Sequence, residues 1–240
     1  FMLSVMGKVG EPSSGARQMP SHWGLRRANV LSHSAPVATQ TLHASGVGLA
    51  IKLKGSKEVV LTTIGEGSTS QGEWYEAVNW AAIHKLPVIF MVENNSYAIS
   101  VPQDKQMAVP SAADKACGLG LPGINVDGTD IEAVYKVMQE AVERARAGEG
   151  ATVIEAKAYR LTPHSSDDDD RSYRTREEVE AHKKTDPIPL TQHLLLSRKI
   201  LTKKQLDEME ERAKVEIDQA VADATAAPYP SPEEAMHPVY

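Results

Sequence analysis

The chain carries a single cysteine, Cys117, among its 240 residues. One cysteine closes no internal disulfide, so a reducing compartment is the simplest setting. No stretch approaches the roughly 20 consecutive apolar residues of a membrane helix, and no basic-then-apolar signal segment opens the chain. A membrane is therefore not expected as a partner. There is no excess of positive charge: the formal net charge is −6, which argues against nonspecific binding to nucleic acid or to an anionic membrane. The first residue is Phe1 rather than methionine, and the expectation is of a chain that is processed, cut or missing an upstream segment. What remains is a composition of 41% hydrophobic and 24% charged residues, ordinary for a soluble globular protein. A chain of this length can bury a sizeable core.

The first 45 residues are turn-rich, with Pro12, Gly15, Pro20 and Gly24 interrupting any periodicity. Small residues over 45–54 read as a closely packing helix. Residues 58–64 (EVVLTTI) are β-branched and apolar and read as a strand. A helix is expected over 70–84 and a continuous apolar strand over 87–92. A short helix over 111–117 and a short strand over 123–126 follow. Asp130 reads as the cap of a helix reaching about residue 147, ended by Gly148. Residues 152–156 form the third good strand. Continuous apolar strands alternating with helices imply a parallel sheet covered on both faces.

Residues 162–174 (TPHSSDDDDRSYR) are too polar for a core, and the acidic run 167–170 reads as a solvated loop. From 202 to 224, Leu206, Met209, Ala213, Ile217, Ala220 and Ala224 recur at helical steps. The four prolines in 226–240 predict an extended arm. The expected fold class is α/β, a parallel sheet flanked by helices with a helical C-terminal region. The expected division is an α/β domain over 1–185 and a helical region with its arm over 186–240.

In an open parallel sheet, ligands bind beyond the carboxyl ends of the strands. Two such ends are loaded with unusual residues here. The first strand runs into Gly65-Glu66-Gly67-Ser68-Thr69-Ser70-Gln71-Gly72. The glycines let backbone amides approach a ligand, and the helix that follows favours an anion. No lysine follows a late glycine, so this is not a P-loop. Ser70 stands where the dinucleotide fingerprint needs its third glycine, which removes the nicotinamide-binding reading. Glu66 would repel phosphate unless a cation lay between them. Magnesium suits that place, because it takes a few protein oxygens and shares phosphate oxygens. Asn95 offers a second oxygen at the end of the next strand, and the Tyr97 carbonyl a third. The plainer reading is that Asn94 and Asn95 form a turn and Glu66 is solvated.

Gly-Glu-Gly, then a helix and a strand, then Asn-Asn resembles the thiamine diphosphate motif. Residues 65–100 resemble the alpha subunit of the decarboxylating component of 2-oxo acid dehydrogenase complexes. So do the blocks at 17–24, 35–40, 126–130 and 159–174. The resemblance implies thiamine diphosphate and magnesium as cofactors, with Glu66, Asn95 and the Tyr97 carbonyl as metal ligands. It places Gly65, Gly67 and Ser68 at the diphosphate, and Arg160 and His164 beside the diphosphate and the reacting carbon. Ala35 and Val37 match positions at the aminopyrimidine ring. His164 would be the catalytic side chain of this subunit, donating a hydrogen bond to a substrate carboxylate or an intermediate. Arg160 suits a phosphate as a fork. The plainer readings are a surface ion pair for Arg160 and an exposed loop histidine for His164. His22 lies in a shared block without an assigned role. Ser165 and Ser166 follow His164 where mitochondrial relatives carry regulatory phosphorylation sites.

The implied assembly is an alpha-two beta-two heterotetramer. Its beta subunit supplies the glutamate that activates the aminopyrimidine, and the acyl group passes to a lipoyl domain of the transacylase component. RQMPSH, Gly-Glu-Gly and PHSSDDDD resemble the branched-chain type, acting on a small 2-oxo acid such as 3-methyl-2-oxobutanoate. The alternatives are a pyruvate or acetoin dehydrogenase alpha subunit, and a noncatalytic assembly subunit of the same fold. Two features depart from the family. Its upstream Tyr-Arg element, whose arginine contacts the diphosphate, is absent, and Glu93 stands where some branched-chain relatives have arginine. The blocks look bacterial, which implies the cytoplasm, with the mitochondrial matrix as the other setting.

Overall fold

A computed structural model describes residues 1–15, 17–19, 21–32 and 34–236. Pro20, in one of the family-like blocks, and the last four residues of the expected arm lie outside the described residues. The chain forms two compact units, 36–194 and 1–35 with 195–240. That partition falls elsewhere than the sequence division at residue 185. The N-terminal residues join the C-terminal helix through the Lys8 ammonium, which donates to the carbonyls of Thr225 at 3.3 Å and Ala227 at 2.8 Å.

The unit 36–194 is built on four parallel strands: β1 (Val60–Gly65), β2 (Val88–Asn94), β5 (Gly123–Asp127) and β6 (Thr152–Lys157), in the order β1-β2-β6-β5. A two-stranded hairpin, β3 (Tyr97–Ala98) and β4 (Val101–Pro102), follows β2. Strands buried on both faces need apolar side chains at consecutive positions. Val88, Ile89, Phe90, Met91 and Val92 are all buried in that way. One face packs against helices α2 (Thr39–Lys54), α3 (Gly72–Ile83) and α5 (Ala112–Gly118) through Val88, Phe90, Val92, Trp74, Ala77, Val78 and Ala116. The other face packs Ile89, Met91 and Ile154 against α6 (Ile131–Arg146). Full burial of a side chain such as Phe90 contributes about 1.5–3 kcal/mol.

The sequence reading locates all four of these strands and α6, whose Asp130 carboxylate accepts from the amides of Glu132 and Ala133 at 3.0 and 3.1 Å. Helix α2 is longer than expected. It begins at Thr39 behind Ala38, which has φ of 71° and gives no side-chain cap, so the start carries no sequence signal. Gly48 lets α2 touch the sheet: a Cβ there would lie 2.6 Å from Val88 Cγ2. The expected helix from residue 70 is a 3-10 turn over Glu66–Ser70 followed by α3.

Helices α4 (Gln103–Gln106) and α7 (Arg176–His182) are not marked in the sequence, and α8 (Pro187–Ser197) opens the expected C-terminal helical region. In the other unit, α1 (Met2–Met6) and α9 (Lys203–Ala226) are the main helices. Thr202 and Gln205 cap α9 reciprocally. Of the six residues in its expected stripe, Leu206 and Ala224 are buried, whereas Met209 and Ile217 are about half exposed. Part of the expected extended arm is instead a 3-10 turn over Pro232–Met236.

Candidate active site at three strand ends

The parallel register decides which residues meet. Gly65 lies opposite Glu93, and Asn94 opposite Lys157, so the chain leaves β1, β2 and β6 at one level. The next residues out are Glu66, Asn95 and the segment leading to Arg160. The Ala158 amide donates to the Asn94 carbonyl at 2.7 Å and the Arg160 amide to the Asn95 carbonyl at 3.2 Å, which extends β6 pairing past the sheet. Glu66, Asn95 and Arg160 are thereby brought together from positions far apart in sequence.

Glu66 is 1% exposed, which removes the solvated reading. Its carboxylate accepts the Asn95 amide at 3.2 Å and the Gln106 side-chain amide at 3.2 Å. Both donors are neutral, and no ion pair to Glu66 forms among the described residues. Burial pushes its pKa up, against the pull of those hydrogen bonds and the Arg160 charge. A buried carboxylate held by neutral donors alone lacks a cation. The Asn95 side-chain oxygen accepts the Tyr97 amide at 3.2 Å, which fits the turn reading of that residue too.

Arg160 makes no ion pair with a carboxylate among the described residues. Its fork gathers carbonyls instead: Tyr97 at 3.2 Å, Ile99 at 2.6 Å and Thr162 at 3.2 Å. The surface ion-pair reading therefore does not describe it. The Tyr97 carbonyl retains a second lone pair. Gly65 has nothing within 4 Å of where a Cβ would stand, so there is open space beside the strand end. Gly67 is tight: a Cβ there would come 2.6 Å from Ala98 Cβ. Ser68 is half-buried within the 3-10 turn, and its carbonyl accepts the Gln71 amide at 3.1 Å. An open strand end, a buried carboxylate without a cation, an amide oxygen and an arginine fork fit a divalent cation with a diphosphate. Among the described residues no group of three or more His, Cys, Asp or Glu gathers, so a cation here would depend on the single carboxylate with amide and carbonyl oxygens.

Within the acidic segment Asp167 and Asp169 are exposed, as a solvated loop predicts, and Asp170 departs from that expectation. Asp170 is 1% exposed and bridges two arginines, with Arg174 Nε at 2.9 Å and Nη2 at 2.7 Å, and Arg176 Nη2 at 2.8 Å. Arg174 is itself buried and donates to the carbonyls of Arg160 and Thr162. Asp168 accepts the Tyr173 hydroxyl at 2.5 Å and the His164 amide at 2.8 Å, and that hydroxyl accepts from Arg160 at 2.8 Å. The run is a folding hub that fixes the backbone at His164. The His164 side chain is exposed, as are Ser165 and Ser166.

Val37 is 54% exposed, and Ala35, also exposed, falls in the other unit. In that unit His22 Nδ1 lies 3.1 Å from the Met19 carbonyl. Residues the sequence reading missed include Gln106 on Glu66 and Lys115. The Lys115 ammonium donates to the Thr69 carbonyl at 3.0 Å and hydroxyl at 2.9 Å, and that hydroxyl donates to the Glu66 carbonyl at 2.7 Å. Nothing in their local sequence marks them, because these contacts span 40 and 46 residues.

Residues 1–233 match the family model described as dehydrogenase E1 component, and the chain belongs to that family. This bears out the resemblance drawn from the sequence blocks. A Bacillus subtilis protein named 2-oxoisovalerate dehydrogenase subunit alpha is 48% identical over 240 residues, covering 100% of this chain and 73% of that protein. A Mycobacterium tuberculosis protein named 3-methyl-2-oxobutanoate dehydrogenase subunit alpha is 45% identical over 194 residues. That match covers 80% of this chain and 53% of the relative. A Staphylococcus aureus protein named pyruvate dehydrogenase E1 component subunit alpha is 42% identical over 197 residues, covering 82% of this chain and 53% of that protein. No helix of the described residues is long and apolar enough to cross a membrane.

Proposed function

We propose that the chain is the alpha subunit of a thiamine-diphosphate-dependent dehydrogenase that oxidatively decarboxylates branched-chain 2-oxo acids and transfers the acyl group to a lipoyl group. The observation that carries the reading is the buried Glu66 carboxylate, 1% exposed, accepting only the neutral donors of Asn95 and Gln106. Higher identity to the relatives named for 2-oxoisovalerate and 3-methyl-2-oxobutanoate than to the one named for pyruvate supports the branched substrate.

Glu66, Asn95 and the Tyr97 carbonyl would hold magnesium, with Gly65, Gly67 and Ser68 lining the diphosphate. When bound, thiamine diphosphate supplies the electron-accepting ring that makes loss of carbon dioxide from a 2-oxo acid feasible. Arg160 fixes the hairpin carbonyls of Tyr97 and Ile99 and sets positive charge by the diphosphate. His164, whose backbone amide is braced by Asp168, would donate a hydrogen bond from its imidazole to the substrate carboxylate. Val37 would meet the aminopyrimidine ring. A beta subunit completes the site in an alpha-two beta-two assembly, a lipoyl domain of the transacylase receives the acyl group, and the setting is the bacterial cytoplasm.

The test is dye-linked decarboxylation by the chain co-expressed with its beta subunit, with magnesium and thiamine diphosphate. It compares 3-methyl-2-oxobutanoate with pyruvate and includes Glu66→Ala. Faster turnover of the branched acid, abolished in Glu66→Ala, is the expected outcome. The relative named for pyruvate dehydrogenase favours a second reading, which a preference for pyruvate would establish. Absence of cofactor binding would leave a noncatalytic assembly subunit.

A further inference from the structure

A second buried carboxylate, Glu155, lies beneath the proposed metal site and contacts none of its expected ligands. It sits on β6 opposite Val92 of β2 and is 0% exposed. An isolated ionised carboxylate is costly to bury, so its hydrogen bonds carry the explanation of its presence. One oxygen accepts the Asn94 side-chain amide at 2.5 Å. The other accepts the Ala113 amide at 3.0 Å and the Ser111 hydroxyl. The nearby Lys115 ammonium feels its charge but bonds to Thr69.

Asn94 is the inward member of the Asn-Asn pair. Strand alternation sends its side chain into the protein, 2% exposed, and leaves Asn95 at the strand end. Its carboxamide has a fixed orientation. The nitrogen donates to Glu155 and to Gln103 Oε1 at 2.8 Å, and the oxygen accepts the Ser96 amide at 3.0 Å. Ser96 has φ of 76°, a conformation that a non-glycine residue holds only when its surroundings fix it. The turn so held carries Asn95 and Tyr97 on either side of Ser96.

We propose that Glu155, acting through Asn94, is a positioning residue that sets the Asn95–Tyr97 turn in the geometry the divalent cation requires. This rests on the proposed magnesium and thiamine diphosphate site. Glu155→Gln places an amide where two acceptor positions are needed, so either Asn94 or the Ala113 amide faces a donor. Partners that orient metal ligands affect metal affinity by about 10–100-fold.

The test is calorimetric titration of magnesium into the chain with its beta subunit at saturating thiamine diphosphate. Glu155→Gln is expected to weaken magnesium at least about tenfold. Asn94→Ala should weaken it similarly, and the double variant should be no worse than Asn94→Ala alone, because both act through one contact. Ser111→Ala removes a Glu155 donor on the side away from Asn94 and serves as the structural control. It should lower the melting temperature and leave magnesium affinity within about twofold. Additive losses in the double variant, unchanged magnesium affinity in folded Glu155→Gln, or an equal loss in Ser111→Ala would each overturn the assignment. Absence of magnesium binding in the unsubstituted protein would overturn the cofactor reading and the positioning role with it.

Discussion

The Asn95 amide donates to the Glu66 carboxylate at 3.2 Å across 29 residues of sequence, joining the ends of two adjacent parallel strands. The contact holds a buried carboxylate in place without neutralising it. Burying a carboxylate that meets only neutral donors carries a desolvation cost that a bound cation would offset.

Glu66→Gln is therefore expected to stabilise the ligand-free chain. Burial raises the folded-state pKa of Glu66, so its protonated form is the one the fold favours. Stability from this group is fully present below the ordinary carboxylate range and is lost as pH rises through the raised folded value. A glutamine removes that loss, and the Gln106 side chain can turn its amide to keep the contact. A gain of about 1 kcal/mol corresponds to roughly 2–4 °C in a domain of this size. Melting scans from pH 4 to pH 8 check this. The gain should grow with pH, and magnesium with thiamine diphosphate should raise the melting temperature of the unsubstituted protein alone.

Gly67→Ala tests the tight approach of the 3-10 turn to the hairpin. The added methyl would meet Ala98 Cβ at 2.6 Å and Gln106 Oε1 at 3.4 Å, so the hairpin must move away from Glu66. Overpacking of this kind costs about 1–3 kcal/mol. Denaturant unfolding should show that loss with an unchanged slope, and cofactor affinity should fall because the Tyr97 carbonyl moves with the hairpin. A substitution that is silent in both would mean the hairpin yields freely.

Asp170→Asn addresses the loop around His164. The Arg174 hydrogen bonds hold the Asp170 carboxyl below the ordinary range, with further help from Arg176. A depressed folded pKa contributes stability above the unfolded pKa and loses it as pH falls through the folded one. Asparagine removes the charge and leaves the buried Arg174 unpaired. Opening of residues 162–175 should increase, with proteolytic cleavage there faster by about tenfold or more, since cleavage follows the open population. The unsubstituted protein should show the same sensitivity only in strong acid.

What could be read from the sequence follows from how local each cause is. Asp130 caps the helix it begins, and its signal lies within three residues. Glu66 and Asn95 stand out because parallel strands load their carboxyl ends, a rule that needs only strand positions. Ala38 begins α2 in a left-handed conformation without a capping side chain, so that start could not be located. The acidic run reads as solvated in sequence because its charges have no local apolar context. The burial of Asp170 alone depends on Arg174, which pairs with it while donating to the Arg160 and Thr162 carbonyls. Gln106 and Glu155 act across 40 and 61 residues, Gln106 from the short helix α4 after the hairpin and Glu155 from β6 beside β2.

Arg160→Lys separates charge from shape. Lysine keeps the positive charge but cannot reproduce a planar fork whose nitrogens reach Tyr97, Ile99, Thr162 and Tyr173 together. Ile99 adopts φ of 57°, unusual for a β-branched residue, and its carbonyl accepts from Arg160 at 2.6 Å, so the fork helps to hold a strained turn. If charge at the diphosphate were the whole role, lysine would retain most cofactor affinity. The shared hydroxyl of Tyr173 ties the same arginine to Asp168 and so to the His164 backbone. Losing the fork should therefore loosen both the hairpin and the His164 loop. The expected result is cofactor affinity reduced by roughly tenfold, or about 1.4 kcal/mol, with faster amide exchange over 97–101 and 162–170. Reduced affinity with unchanged exchange would confine Arg160 to binding the anion.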